Sequence, residues 1–216
     1  MYSVIREPFN ALSHLAGAVL SLAALLAMTI KAASDQSPPL HLTAVILFGL
    51  ALIALYTAST VYHAVIARPE TIAFLRKLDH SMIFTLIAGS YAPFCLIALE
   101  GPLGWTLFAL VAFLGLSGIF FKMIWFHSPR WLSTAIYISM GWIIVFAVVP
   151  LADQLSMAGL SLLIGGGLLY TIGGIIYGLK PPFMQKVLRL GFHEVFHLFI
   201  LAGSLCHFLS VYFYVL

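Results

Sequence analysis

The chain has 216 residues, of which 62% are hydrophobic and only 8% are charged, whereas a soluble domain carries roughly 25% charged residues. So few charges cannot cover the surface of a soluble domain of this size, so lipid must be the solvent for most of the outside. The net charge of +3 does not indicate nucleic acid as a partner, because the basic residues are scattered between apolar runs and form no patch.

Continuous apolar runs of transmembrane length follow one another along the chain. A spanning helix needs about 20 mostly apolar residues, and backbone groups in lipid must pair internally, which allows only helices or a closed barrel. The runs are continuous rather than alternating, which favours helices. Seven runs qualify: 10–31, 41–66, 78–99, 104–124, 131–151, 160–179 and 191–214. The breaks between them are short, so residues 1–216 are predicted to form a single all-α domain, a bundle of seven transmembrane helices.

Two local features qualify these spans. Pro93 lies inside the third span and is expected to kink that helix, because proline removes a backbone hydrogen bond. The sixth span is rich in glycine, which allows close contact between helices in a bilayer.

The basic residues predict the orientation of the bundle, because cytoplasmic loops carry an excess of Lys and Arg. Of the ten Lys and Arg residues, only Lys31 falls on one side of the predicted bundle. The other side carries Arg6, Arg68, Arg76, Lys77, Lys122, Arg130, Lys180, Lys186 and Arg189. This bias places the N-terminus in the cytoplasm and the C-terminus outside.

Ionisable residues within the spans cluster at one depth. Such residues are costly in a membrane and usually functional. Four spans contribute polar residues close to their cytoplasmic ends. These residues are Asn10 and His14 in the first span, His63 in the second, Asp79 in the third, and His193 and His197 in the seventh. Because consecutive spans alternate in direction, these side chains are expected to meet in the cytoplasmic half of the bundle.

The spacing of two histidines in the seventh span indicates a metal site. His193 and His197 are four residues apart, so both imidazoles lie on one helical face. With His63 as the third ligand, they would form the three-histidine set of a catalytic zinc ion that keeps one open position. Ser59 lies on the same face as His63, and Asp79 could orient a ligand or hold a bound water. His207 lies about 15 Å further along its helix than His197, too deep to share the ion.

Other interpretations of these residues remain open. The histidines could be hydrogen-bonded packing residues, and Asp79 could pair with Arg76 or Lys77 at the membrane interface. His14 and His80 are interpreted as structural or interfacial residues, although His14 or Asp79 could also close the site as a fourth ligand. The segment from His193 to His197 also fits the zincin motif H-E-x-x-H, in which Glu194 would be the general base.

At these positions the chain resembles a known family. The matching motifs are Glu7-Pro8-Phe9-Asn10 with Ser13-His14, Ser59-Thr60-Val61-Tyr62-His63, Lys77-Leu78-Asp79-His80 and His193-Glu194-Val195-Phe196-His197. They resemble the bacterial hemolysin III branch of the progestin and adiponectin receptor (PAQR) family, over essentially the whole chain. One departure is His80, which stands where the family often has an aromatic residue.

The resemblance implies a seven-helix bundle in the bacterial cytoplasmic membrane that binds zinc through three histidines. Carried over, the ligands are His63, His193 and His197, with Asp79 beside the water on the zinc and Ser59 near the site. The wider superfamily includes alkaline ceramidases, which hydrolyse lipid amides. The first hypothesis is therefore a zinc-dependent hydrolase of membrane lipids, acting on an amide or ester and contributing to lipid and fluidity homeostasis. The alternatives are a membrane sensor with structural zinc and an intramembrane metalloprotease.

The orientation can be tested with reporters that are active on only one side of the membrane. A reporter fused after Leu216 should be active outside the cytoplasm, and one inserted at Arg68 should be active inside it, because nine of the ten basic residues hold that side in the cytoplasm. The opposite pattern of activity would contradict the predicted topology.

Overall fold

The computed structural model describes residues 4–125, 127–180 and 190–216. Its α-helices are α1 (Pro8–Ser34), α2 (Pro39–Ala64), α3 (Pro69–Pro93), α4 (Gly101–Ile124), α5 (Arg130–Gly141), α6 (Val148–Gln154), α7 (Met157–Leu179) and α8 (Phe192–Ser210). A 3₁₀ segment, Trp142–Ala147, joins α5 to α6, so that these form the fifth span, while α7 and α8 are the sixth and seventh. Seven helical spans in the described residues are long and apolar enough to cross a membrane.

Proline sets several of the helix starts. Helices α1, α2, α3 and α4 each have proline at their first or second position, where its missing N–H costs no helical hydrogen bond. Pro93 ends α3, and the chain continues as a π-helical turn, Phe94–Ala98. The change of helix type thus comes directly after Pro93, whose backbone has no N–H to donate to the preceding turn.

The third span begins earlier than its hydropathy indicates. Residues 68 to 77 were expected to form a break before a span at 78–99, but α3 already begins at Pro69. That part of the expectation is wrong, because hydropathy marks the apolar stretch of a helix and not its ends. The first three turns of α3 carry Glu70, Arg76 and Lys77, which is compatible with a helix that extends beyond the apolar layer.

The helices pack mainly with their neighbours in the chain, and the last returns to the first. Helix α1 contacts α2, α2 contacts α3, and α3 contacts α4, while α5 and α8 both contact α7 and α8 contacts α1. The interface between α7 and α8 depends on glycine, because a Cβ on Gly203 would lie 2.6 Å from the Tyr170 ring. The outer surface is strongly apolar, with Phe113, Phe120 and Phe146 each more than 60% exposed. The molecule is a multi-pass α-helical integral membrane protein.

One end of the bundle, here called the basic end, collects most of the described basic residues. The backbone N–H of Arg6 bonds to the carbonyl of Ala64 at the end of α2. The Arg130 guanidinium at the start of α5 lies over the Tyr177 ring near the end of α7, and Lys180 lies over Phe192 at the start of α8. Lys186 and Arg189, which also entered the orientation argument, lie outside the described residues. The side of the membrane that the basic end faces stays a prediction.

Candidate metal centre

Three histidines converge at the basic end from helices that are far apart in sequence. His63 lies in the last turn of α2, whereas His193 and His197 lie in the first two turns of α8. One ring nitrogen from each lies within 4.8 Å of the other two. The His63 and His197 side chains are 1% exposed. The structure therefore brings together the three residues that were predicted as metal ligands, and this set can hold a metal ion.

The distance between two of the three histidines fits a tetrahedral ion. The Nε2 atoms of His63 and His193 lie 3.3 Å apart. Two nitrogens on a tetrahedral ion at 2.0–2.1 Å each are separated by about 3.3–3.4 Å. The Nδ1 atom of His197 is buried without a hydrogen-bond partner. Buried polar atoms are nearly always paired, and a bound ion is one way in which such a nitrogen could be satisfied.

Glu7 joins the centre from outside the membrane span, a contact that sequence reasoning missed. Its Oε2 atom lies 2.7 Å from His63 Nδ1 and accepts a hydrogen bond of 2.9 Å from the Asn10 side chain. Burial alone would raise the pKa of Glu7, but the hydrogen bonds from Asn10 and His63, with the charge of Arg6, outweigh it and lower the pKa below its ordinary value. The only sequence signal was the motif from Glu7 to Asn10, to which no role had been given.

His14 lies within the cluster but does not have the orientation of a fourth ligand. Its ring is parallel to that of His197, with centroids 3.6 Å apart and planes 9° apart. Imidazole lone pairs lie in the ring plane, so two rings stacked face to face do not direct them at one ion. The Tyr56 ring also packs against His14, nearly perpendicular to it and at 5.0 Å between centroids. In this arrangement His14 packs against His197, and an ion held by the other three histidines would keep its fourth position open.

A small cavity of about 40 Å³ adjoins the histidines and is here called the small polar cavity after the Asp, Ser and His side chains in its lining, although aliphatic and aromatic side chains also line it. Asp79 and Ser59 both line it and are 8% and 1% exposed. Asp79 is not within the ligand set, so it lies beside the centre rather than in it. A cavity needs only about 10–15 Å³ to hold one water, so this one has room for at least one water beside the histidines. His80 also lines it, and the hydroxyl of Tyr137 donates a 3.1 Å hydrogen bond to the His80 carbonyl.

Glu194, the general base of the zincin interpretation, is placed differently. Its Oε2 atom accepts a 2.6 Å hydrogen bond from the Gly191 backbone N–H, so the side chain caps the start of α8. It does not line the small cavity. Glu194 is the third residue of α8, a position where an acidic side chain can cap the positive end of a helix, and this accounts for the Glu in the H-E-x-x-H segment.

An apolar cavity of about 190 Å³ lies between α3, α5, α7 and α8. It shares five lining residues with the small polar cavity: Ile83, Leu86, Tyr177, Phe196 and Ile200. At the other end His207 lines it, with its Nε2 atom 3.2 Å from the Leu163 carbonyl. His207 is therefore separate from the metal centre, at the far end of an apolar space that begins beside it.

Comparison with known proteins identifies the family of the chain. The family model described as "Haemolysin-III related" matches residues 2–208. The protein named Hemolysin-3 from Bacillus cereus is 42% identical over 214 residues, which cover 99% of this chain and 93% of the relative. This chain belongs to the haemolysin-III-related family. A Bacillus subtilis (strain 168) protein named Hemolysin-3 homolog is 40% identical over 215 residues, 99% of this chain and 96% of the relative.

A more distant likeness connects this haemolysin-III-related chain to animal proteins. The human protein named Monocyte to macrophage differentiation factor is 24% identical over 177 residues, 78% of this chain and 68% of the relative. The resemblance noted from the motifs is confirmed at the level of the family.

The histidine cluster predicts that the purified haemolysin-III-related protein carries one transition-metal ion per chain. The variants His63→Ala, His193→Ala and His197→Ala should each lose most of the ion and have a lower melting temperature, because a bound ion stabilises the native state. His127→Ala, at an exposed position outside the cluster, is the matched control and should keep the ion. Metal content by elemental analysis checks this, and full occupancy in the His193→Ala, His197→Ala double variant would exclude the site.

Proposed function

We propose that this protein is a zinc-dependent hydrolase of membrane lipids, which cleaves an amide or ester bond and contributes to lipid homeostasis of the bacterial cytoplasmic membrane. The observation that carries the proposal is that His193 and His197 of the three-histidine set line the small polar cavity, which shares five lining residues with the larger apolar one. A polar group and a hydrocarbon chain of one substrate can therefore be bound side by side.

The donor set favours zinc as the ion. Three imidazole nitrogens with an open fourth position are typical of catalytic zinc sites, whereas structural sites are closed by a fourth protein ligand. His14 is stacked on His197 and Asp79 lies outside the ligand set, so neither takes that position. When bound, zinc would supply a Lewis acid that polarises a carbonyl and lowers the pKa of water.

Asp79 is the residue best placed to accept a proton. Its carboxylate lies in the small polar cavity with Ser59, next to the histidines. An attack of water on a lipid carbonyl requires a base to remove a proton from that water, and Asp79 would take it. Ser59 contributes a buried hydroxyl that lines the same cavity as Asp79, and it can orient either Asp79 or the water.

The apolar cavity supports a lipid as the substrate. It has almost no charged lining and is walled by aliphatic and aromatic side chains, with a few hydroxyl groups and His207. Its near end reaches Phe196 and Tyr177, which also line the polar cavity. An acyl chain in the apolar cavity would therefore place its head-group carbonyl beside the metal centre. Membrane lipids are accordingly the proposed partners.

The proposal predicts that Asp79→Asn separates chemistry from metal binding. The substitution keeps the shape of the side chain but removes the base, and general-base assistance is worth typically 10²–10⁴-fold. Turnover of labelled ceramide and phospholipid should therefore fall by about 10²–10⁴-fold, while zinc content stays at the wild-type level. Both are measured on the protein purified in detergent.

Glu194→Gln distinguishes this proposal from the zincin alternative. Because Glu194 caps α8, this variant should lose a little thermal stability and keep most of its turnover. Full turnover in Asp79→Asn with loss in Glu194→Gln would contradict the assignment of the base. The absence of turnover in the wild type across a broad panel of lipids would instead support a sensor with structural zinc.

A further inference from the structure

The segment before α1 is attached to the end of α2 through its backbone. The N–H of Arg6 donates to the carbonyl of Ala64 at 3.2 Å, and the N–H of Glu7 donates to the carbonyl of His63 at 3.0 Å. These carbonyls belong to the last turn of α2, where helical partners run out. The Arg6 guanidinium also lies 4.4 Å from the centre of the Tyr62 ring. Glu7 is thus placed beside His63 by contacts that do not involve its own side chain.

The Glu7 carboxylate is directed at one atom of the metal centre. Its Oε2 atom lies 2.7 Å from His63 Nδ1 and 2.9 Å from the donating Asn10 Nδ2. Asn10 is only 7% exposed, so it holds this oxygen from the inner side. The other carboxylate oxygen of Glu7, Oε1, lies 3.4 Å from the Arg6 guanidinium. The carboxylate therefore has a fixed orientation although it is partly exposed.

This contact determines which nitrogen of His63 can bind an ion. An imidazole that donates its Nδ1 proton to a carboxylate presents the lone pair of Nε2, and His63 Nε2 is the atom 3.3 Å from His193 Nε2. Carboxylates placed behind metal-binding histidines fix the ring and increase its basicity.

We propose that Glu7 is the positioning residue of the metal centre, which holds His63 with Nε2 toward the ion. The inference rests on the metal-binding part of the proposed function and is independent of the lipid chemistry. It assigns to the segment before the first span a role in metal affinity. The backbone hydrogen bonds of residues 6 and 7 already attach this segment to α2. The Glu7 side chain is therefore not needed to hold α1 against α2.

The test is zinc affinity measured by competition with a chromophoric chelator, on protein stripped of metal and kept in detergent. Removing a carboxylate behind a metal-binding histidine typically costs 10–100-fold in affinity, so Glu7→Gln should bind zinc about 10–100-fold more weakly than wild type. Glu7→Ala, which also removes the hydrogen-bond acceptor, should lose at least as much. The melting temperature without metal should change little in Glu7→Gln, because the backbone contacts of the segment remain.

Glu70→Gln is the matched control. Glu70 is an exposed acid at the start of α3, so its loss removes the same charge from the chain without touching His63, and zinc affinity should stay at the wild-type value. Unchanged zinc affinity in both Glu7 variants, or an equal loss of zinc affinity in Glu70→Gln, would overturn the positioning role of Glu7 and leave the proposed function standing. Failure of the wild type to bind zinc would overturn the proposed function and this inference together.

Discussion

The cost of burying imidazole nitrogens at the end of a membrane bundle is the constraint on which the site depends. His14, His63 and His197 are each almost fully buried, and ring nitrogens of His14 and His197 have no hydrogen-bond partner. Unpaired polar atoms in such a place cost free energy. An ion bound by His63, His193 and His197 would compensate that cost at His197 and would also link α2 to α8. Metal binding and helix assembly are therefore expected to be coupled at the basic end.

Two cavities with different linings adjoin beside this centre. Asp79, Ser59, His193 and His197 are among the residues that line the small one, whereas the larger cavity, which shares five apolar or aromatic lining residues with it, has no acidic side chain among the described residues that line it. Such a boundary suits a molecule that is itself divided into a polar group and a hydrocarbon chain. A protein within the bilayer can draw such a molecule from the surrounding lipid, and this agrees with the proposal of a lipid substrate better than with a soluble one.

The fold and the convergence of the three histidines could be predicted because their signals are local or follow from chain direction. Apolar runs marked the seven spans, the spacing of His193 and His197 placed two rings on one face, and alternating direction brought His63 to the same end. The early start of α3 at Pro69 was missed because helices continue beyond the apolar layer. The contact of Glu7 with His63 was missed because Glu7 lies before the first span, and only the tertiary structure brings the two together.

The stacking of His14 on His197 also could not be predicted from the sequence. Depth alone placed His14 near the ligands, so it remained a candidate for the fourth position. The orientation of an imidazole ring decides whether it can bind an ion or only packs against another imidazole that binds it. The orientation of His14 follows from its packing against Tyr56 and α8 and not from its spacing in the sequence.

The central claim is that three imidazoles hold the ion and leave one position open toward the polar cavity. X-ray absorption spectroscopy at the zinc edge of the purified protein tests this most directly, because the scattering from imidazole rings gives their number. The account predicts three imidazole ligands and one further oxygen ligand at about 2.0–2.2 Å. Four imidazoles, or a coordination shell that is unchanged in His63→Ala, would contradict it.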